Sequence, residues 1–385
     1  MNAPATDPTF LVSIGVVARN EEARLPVTLA SLLGQTLFAR LAAQGGRAEI
    51  WCVANGCTDD TAGSANRVFR HAGRTHPQRA AFTARVRDLA RPGKANAWNH
   101  FVHELSDSAA RYLILMDADI RLHEPAALWN LVEALERDDR AQVAAGQPVK
   151  DIALKANPSL RERISLATSH MTRASGPQLT GQLYAIRADV ARRIYLPGDV
   201  GCEDGFIKNV VCTDFLQGAS DASRLLYVAG APHVFEAYVS ARDIIRNQKR
   251  QVINQTCLHV LLDQFLATAR ARPGFDLARI IRELEATDPA WFRRLVQVHV
   301  ERVGRFWRLF PDVCTFRYRR WARLCGSRRL AHLPAMLVGS AVTGFAAWLA
   351  WRTLRRGEFG YWPGKTEPRP RQPAARPGLR TALST

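Results

Sequence analysis

Tyr112-Leu113-Ile114-Leu115-Met116-Asp117-Ala118-Asp119 is the stretch on which the fold turns. Five apolar residues without polar alternation suit a strand covered on both faces, as in a parallel sheet flanked by helices. Two aspartates separated by one residue then end it. In open α/β sheets, ligands bind outside the carboxyl ends of the strands. Paired carboxylates at that place repel each other, and a divalent cation shared with diphosphate oxygens relieves the repulsion. A bare pair of aspartates in an exposed turn is common, so it is the position after this strand that gives the pair weight.

Outward from that strand, the same alternation of elements recurs. Leu11–Ala18 is an apolar run rich in β-branched residues, ending at Arg19-Asn20-Glu21-Glu22. Leu25, Leu29, Leu32, Leu33 and Leu37 fall at helical spacing between Glu22 and Leu41. Glu49–Ala54 reads as a second strand, closed by Asn55-Gly56-Cys57-Thr58-Asp59-Asp60, and Thr58 with its aspartates suits the start of a helix to about Arg70. A weaker strand at Thr83–Leu89 precedes Arg91-Pro92-Gly93-Lys94 and a helix over Ala95–Leu105. This order predicts a doubly wound α/β sheet. Further on, Gln142–Val149 and Thr180–Arg187 read as strands around a helix at Pro158–Ala174. A short helix opens at Gly201-Cys202-Glu203-Asp204-Gly205, a strand at Leu225–Val228 leads to His233, and a long helix fills about Glu236–Arg270.

The 385 residues are 47% hydrophobic, which excludes a wholly disordered or fibrous chain. The net charge of +18 is unevenly placed: 17 Lys/Arg against 4 Asp/Glu after residue 300 account for +13 of it. Seven cysteines include no CxxC pair and no zinc-finger spacing, so reduced thiols in a reducing compartment are expected. The polar, proline-bearing N-terminus lacks the pattern of a signal peptide. Leu330–Trp351 carries no Asp, Glu, Lys or Arg and is flanked by arginines and tryptophans. At about 1.5 Å per residue it just reaches across a hydrocarbon core of about 30 Å. A helix that spans or lies on a membrane is expected there, while Pro334, Gly339 and Gly344 weaken the case for a span.

Two further signals carry chemistry. Glu203 and Asp204 are adjacent acids, favoured at a helix start by the dipole and also suited to taking a proton from an acceptor hydroxyl. Lys94 places a cation on a glycine-containing loop beside a helix start, in a chain that uses 47 Arg and only 6 Lys.

Taken in order, VSIGVVARNEE (12–22), NGCTDD (55–60), GKANAWN (93–99), LMDAD (115–119) and CEDG (202–205) resemble the family 2 glycosyltransferases. The resemblance covers about Thr9 to Arg270. It implies the GT-A fold: an α/β, Rossmann-like, mixed and mainly parallel sheet flanked by helices, here with a C-terminal helical membrane-associated region. The implied organisation is a catalytic domain over 1–272, with a nucleotide-sugar half at about 9–120 and an acceptor half at about 121–272. A basic helical region (273–329), the apolar helix (330–351) and a Pro/Arg-rich tail (352–385) follow.

The same resemblance implies residue roles. Val17 and Arg19 match positions that hold the base and ribose, with Glu21 nearby. Asn55 stands where the family has an aspartate contacting uracil, and Ala54 replaces another; a UDP-sugar remains the default donor. Lys94 and Asn99 match a segment close to the diphosphate. Asp117 and Asp119 match the acidic pair, with Asp119 the direct ligand of Mg²⁺ or Mn²⁺, and His233 sits where some relatives place a further metal or phosphate ligand. Asp204 matches the catalytic base, with Glu203 orienting it or the acceptor. Gln182 and Arg250 fall to the acceptor or phosphate side.

The implied enzyme is an inverting, metal-dependent glycosyltransferase at the cytoplasmic face of the inner membrane. It would move one sugar to a lipid-linked or cell-envelope saccharide acceptor against anionic lipid. Single transfer is favoured because Asn247-Gln248-Lys249-Arg250-Gln251 lacks the Gln and Trp of the processive synthases' Q-x-x-R-W motif. A nucleotidyltransferase would show a glycine-rich phosphate loop in place of Ala18-Arg19-Asn20-Glu21. A nucleic-acid-binding protein driven by the basic tail fits poorly with an uncharged run of 22 residues, and no nucleic acid is expected as a partner.

Overall fold

Strand β1 (Leu11–Ala18) lies between β2 (Arg47–Asn55) and β4 (Tyr112–Asp117), parallel to both, in a computed structural model that describes residues 10–159, 162–163, 165–166, 178–271 and 274–359. β3 (Phe82–Leu89) adds to β2 in parallel. The remaining strands are β5 (Ile120–Leu122), β6 (Val143–Lys150), β7 (Leu183–Arg187) and β8 (Leu225–Phe235). They complete one sheet of eight in the order β3-β2-β1-β4-β7-β6-β8-β5. β7 runs antiparallel to β4 and β6, and β5 antiparallel to β8, so the sheet is mixed.

The apolar run at 112–116 is buried on both faces, as its lack of alternation predicts. Leu113 and Leu115 join a core with Trp98, Tyr184 and Phe206, whereas Ile114 and Met116 join Ile14, Val16 and Ile50 in a second core across the sheet. The leucines between residues 25 and 37 divide between α1 (Leu25–Leu33) and α2 (Leu37–Ala43). The single helix suggested by their spacing is broken at Gly34-Gln35-Thr36, where Gln35 donates to Glu124 O and accepts from Leu128 N, while Thr36 N donates to Pro125 O. The helix after the second strand is α3 (Thr61–Thr75) and the one at the lysine loop is α4 (Lys94–His100). α5 (Ala127–Arg137), α6 (Ala188–Arg192) and α7 (Glu203–Cys212) complete this part. The helix expected at 158–174 falls largely outside the described residues.

The expected long helix is α8 (Ala241–Ala271). After it come α9 (Leu277–Thr287), α10 (Trp291–Val303), α11 (Phe306–Leu309), α12 (Pro311–Ala322), α13 (Gly326–Ala331) and α14 (Leu333–Arg355). The core does not divide at residue 272. Phe265, Phe292, Val296, Ala347 and Leu354 belong to the same apolar cluster as Trp98 and Phe206. The C-terminal helices therefore cover one side of the sheet domain.

Candidate active site

The carboxyl ends of β1, β2 and β4 open onto one place, and the loops after them hold the predicted residues. Gly93 adopts φ +137°, a conformation that side chains resist, and so turns the chain into α4 with Lys94 as its first residue. Opposite, Gly181 precedes β7, and a Cβ there would lie 2.5 Å from Glu203 Oε1, so only glycine lets the acid approach. Asp117 closes β4, with its N–H donating to Gln182 O. Glu203 and Asp204 open α7.

These elements converge on the ammonium of Lys94. Its Nζ lies 2.6 Å from Asp117 Oδ1, 2.7 Å from Glu203 Oε1 and 2.8 Å from Gly181 O. An ammonium has three N–H donors, and all three are taken. Sequence places Lys94 beside the diphosphate; in this arrangement it instead ties the first aspartate to the acid pair. Burial alone would lower its pKa, but the charges of Asp117 and Glu203 outweigh that and hold it above the ordinary lysine value. For Asp117, burial wins over Lys94; with repulsion from Asp119 and Glu203 it pushes the carboxyl up to about 6. Burial, followed by the neighbouring charge of Glu203, also raises Asp204, against the pull of Lys94 and the N–H groups of Gly205 and Gly181. Asp204 Oδ1 accepts from Gly205 N at 2.7 Å.

Asp119 stands just beyond, next to His233 on β8. The imidazole is buried, and desolvation lowers its pKa to about 4 against the opposing charge of Asp119. It is therefore neutral at pH 7, the form that binds metal. Its Nε2 lies 3.3 Å from Gln182 Oε1. Gln182 thus sits between Asp117 and His233. Among the described residues no three His, Cys, Asp or Glu side chains form a ready-made metal cluster. Asp117, which sequence assigns to the cation, is engaged by Lys94. Still, Asp117, Glu203 and Asp204 share the charge of one ammonium, and a divalent cation beside them at Asp119 suits that gathering of negative charge.

Two residues expected to touch the donor, Asn55 and Asn99, are held elsewhere. Asn55 is buried, with Nδ2 donating to Ala18 O at 2.7 Å and Oδ1 accepting from Gly93 N at 3.0 Å. Its amide pins the lysine loop to the end of β1 and is not turned towards a base. Asn99, also buried, exchanges two hydrogen bonds with the backbone of Leu196, at 2.8 and 2.9 Å, away from the carboxylates. Arg250 lies on α8 with Nη2 on Asn247 Oδ1 at 3.0 Å; one turn on, Asn254 donates to Gly201 O at 2.7 Å, beside the start of α7. Val17 and Arg19 are half-buried at the end of β1. Glu21 accepts from the N–H groups that start α1, and Arg24 links it at 3.8 Å to Glu236, 3.1 Å on the other side.

What sequence reading missed lies beyond residue 273. Glu285 accepts from Gly198 N and from Trp291 Nε1, both at 3.0 Å, and Arg293 pairs with Asp199. These contacts fix the loop that leads into Glu203. No local pattern announces them, since each joins residues far apart in the chain.

Residues 13–192 match Glycosyl transferase family 2. Over those residues this chain carries a family 2 glycosyltransferase domain. The mixed sheet is that of the GT-A fold. No curated protein matches the chain. Among solved structures, glucosyl-3-phosphoglycerate synthase from Mycobacterium tuberculosis, in complex with Mn²⁺, UDP and glucosyl-3-phosphoglycerate, is 16% identical. That match covers 64% of this chain and 78% of that one at a TM-score of 0.40. The same enzyme is also solved with Mg²⁺ and UDP. TarS residues 1–349 from S. aureus are 14% identical, with 90% and 92% of the two chains covered and a TM-score of 0.42.

Proposed function

We propose that this glycosyltransferase moves a single sugar from a nucleotide-diphosphate sugar, a UDP-sugar by default, to a hydroxyl of a lipid-linked or cell-envelope saccharide, with inversion at the anomeric carbon. The observation that carries the reading is the Lys94 bridge. It joins Asp117, at the end of the central strand, to Glu203, the neighbour of Asp204, in one pocket at the strand ends.

Asp204 is the general base. Burial and the charge of Glu203 raise its pKa, which makes it a stronger proton acceptor than an exposed aspartate. As it takes the acceptor proton, the acceptor oxygen bonds to the anomeric carbon, and the bond to the diphosphate breaks on the opposite face. Glu203 and Lys94 hold Asp204 and the strand end in register; in this role they position and do not touch the leaving group. Asp119, with neutral His233 beside it, would hold Mg²⁺ or Mn²⁺. When bound, that cation supplies positive charge to the departing diphosphate. Val17, Arg19 and Glu21 border the nucleotide side, and Arg250 the acceptor side.

The test is a thermal-shift series of the full chain with UDP, GDP, CMP and dTDP, with and without Mn²⁺, alongside Asp119→Ala. Stabilisation by one nucleotide, dependent on Mn²⁺ and absent in Asp119→Ala, is expected. A folded protein that responds to none of the four would overturn the reading.

A further inference from the structure

Between residues 313 and 357 the chain has nine arginines and no acid. This segment, with α11 just before it, also holds most of the exposed large apolar side chains among the described residues. Leu330 is 74% exposed, Val338 65%, Leu337 57% and Phe345 50%, with Trp307, Tyr318 and Phe316 beside them. On α13 and α14 the exposed positions 330, 334, 337, 338, 341 and 345 recur at helical spacing and form one stripe. The opposite side of α14 is closed: Ala346 is fully buried, and Ala347, Ala350 and Leu354 are fully buried in the core they share with α8.

Polar bonds fasten that closed side. Arg317 of α12 donates Nε to Thr343 Oγ1 at 3.1 Å, and Thr343 meets Gln248 of α8 at 3.2 Å. The guanidinium also fills the room above Gly339, where a Cβ would lie 2.8 Å from Nη1. Leaving the protein to cross a bilayer would break these bonds and expose the buried alanine face. The stripe and its cations need no such rearrangement. Arg320, Arg323 and Arg328 are exposed around it, and Arg329, Arg352 and Arg355 lie over the rings of Trp321, Trp348 and Trp351 at 4.3 to 4.9 Å. Arginine beside an amphipathic aromatic ring is the pairing found at a membrane–water boundary.

We propose that the outer face of α12–α14 seats in the plane of an anionic lipid bilayer. Leu330, Leu337, Val338 and Phe345 enter the boundary between headgroups and acyl chains, and the surrounding arginines meet lipid phosphates. The helix lies on the membrane and does not span it. The inference rests on this surface alone and holds whichever acceptor the site serves. α8 stands between the two regions, touching Thr343 through Gln248 and Gly201 through Asn254.

The experiment is flotation of the full chain with phosphatidylcholine vesicles and with vesicles containing 30% phosphatidylglycerol, followed by a carbonate wash. Leu337→Glu/Val338→Glu tests the stripe, Arg320→Glu/Arg323→Glu/Arg328→Glu the charge, and Val298→Glu serves as an exposed control on α10. Preferential binding to anionic vesicles is expected, weakened by at least about tenfold in both multiple variants, unchanged in Val298→Glu and stripped by carbonate. Failure of folded protein to float, wild-type flotation by the stripe variant, or retention after carbonate would each overturn the proposal. UDP-dependent thermal shift on the same preparations reads the catalytic site separately, so loss of one property is not mistaken for loss of the other.

Discussion

Arg293 grips Asp199 with two nitrogens, Nε at 2.6 Å and Nη2 at 3.0 Å, across 94 positions of sequence. A residue of α10 thereby fixes a loop four residues ahead of Glu203. The pair is partly exposed on the arginine side, so its worth to stability is about 1 kcal/mol or less. Its worth to catalysis is set by geometry, because a displacement of about 1 Å at a reacting group costs up to about a hundredfold. Arg293→Ala is expected to lower kcat about tenfold while leaving nucleotide affinity and the melting temperature nearly unchanged. Arg293→Lys, which keeps the charge and loses the fork, should fall between them. Steady-state kinetics beside nucleotide titration check this; equal losses in both would mean the loop serves binding instead.

Lys94 gives a sharper prediction. Its three donors are engaged by Asp117, Glu203 and Gly181, so one ammonium serves both acids. Lys94→Met leaves two carboxylates facing each other without a counter-charge, and both are then expected to take up protons. Activity should fall by at least about a hundredfold. Lys94→Arg should not restore it, since a planar fork does not reproduce three diverging donors. Rescue by arginine, read in the same transfer assay, would contradict the bridge.

The acid side of the pH profile follows from the raised carboxyls. Asp117 holds its proton up to about pH 6, well above the usual aspartate value, and Asp204 is displaced in the same direction. The rate is therefore expected to fall as pH drops through about 6. Linkage runs the other way for stability. The folded state holds Asp117's proton more tightly than the unfolded chain does, so this group favours folding below about pH 4 and loses that contribution as pH rises through about 6. Wild type should gain stability relative to Asp117→Asn as pH is lowered from 7 to 4. Thermal melts of both proteins across that range measure the difference.

Asp119 and His233 make the cation testable by spectroscopy as well as by rate. His233 is held neutral down to about pH 4, so Mn²⁺ affinity should not weaken through a histidine titration between pH 5 and 7. Asp119→Ala is expected to abolish Mn²⁺ binding seen by electron paramagnetic resonance with UDP present. His233→Ala should weaken it by about tenfold to a hundredfold. A Mn²⁺ signal unchanged in both variants would move the cation elsewhere.

Much of this was legible in order along the chain. The runs at 11–18 and 112–116 announce their burial because apolar residues fill them with almost no polar interruption, and the acids at 117, 119, 203 and 204 announce themselves by type and place. What was not legible depends on partners distant in sequence. Lys94 reads as a phosphate cation until Gly181 and Glu203 are seen to consume its donors. The apolar run at 330–351 shows that a helix is greasy, but only Gln248 and the α8 core show which side is covered. The buttress from Glu285 and Arg293 has no local signature, because ordinary charged residues on a helix carry no mark of what they reach.

Asn55 is the position where resemblance and structure part most clearly, and one substitution separates them. Its side chain joins Ala18 O to Gly93 N in a buried setting, so Asn55→Ala takes the partner from Gly93 N–H and leaves Ala18 O only the weak Cys57 thiol at 3.8 Å. Each orphaned buried group costs about 1–3 kcal/mol. The melting temperature should therefore drop by several degrees, and the lysine loop should loosen. If Asn55 only braces the scaffold, the preference for UDP over GDP and CMP will survive in Asn55→Ala at a temperature where it remains folded. Asn55→Asp keeps the acceptor for Gly93 N, loses the donor to Ala18 O and places a buried charge near that carbonyl, so it should be at least as destabilised. Competition binding with the three nucleotides decides the matter: a variant that loses base preference while keeping its melting temperature would return Asn55 to the nucleotide pocket.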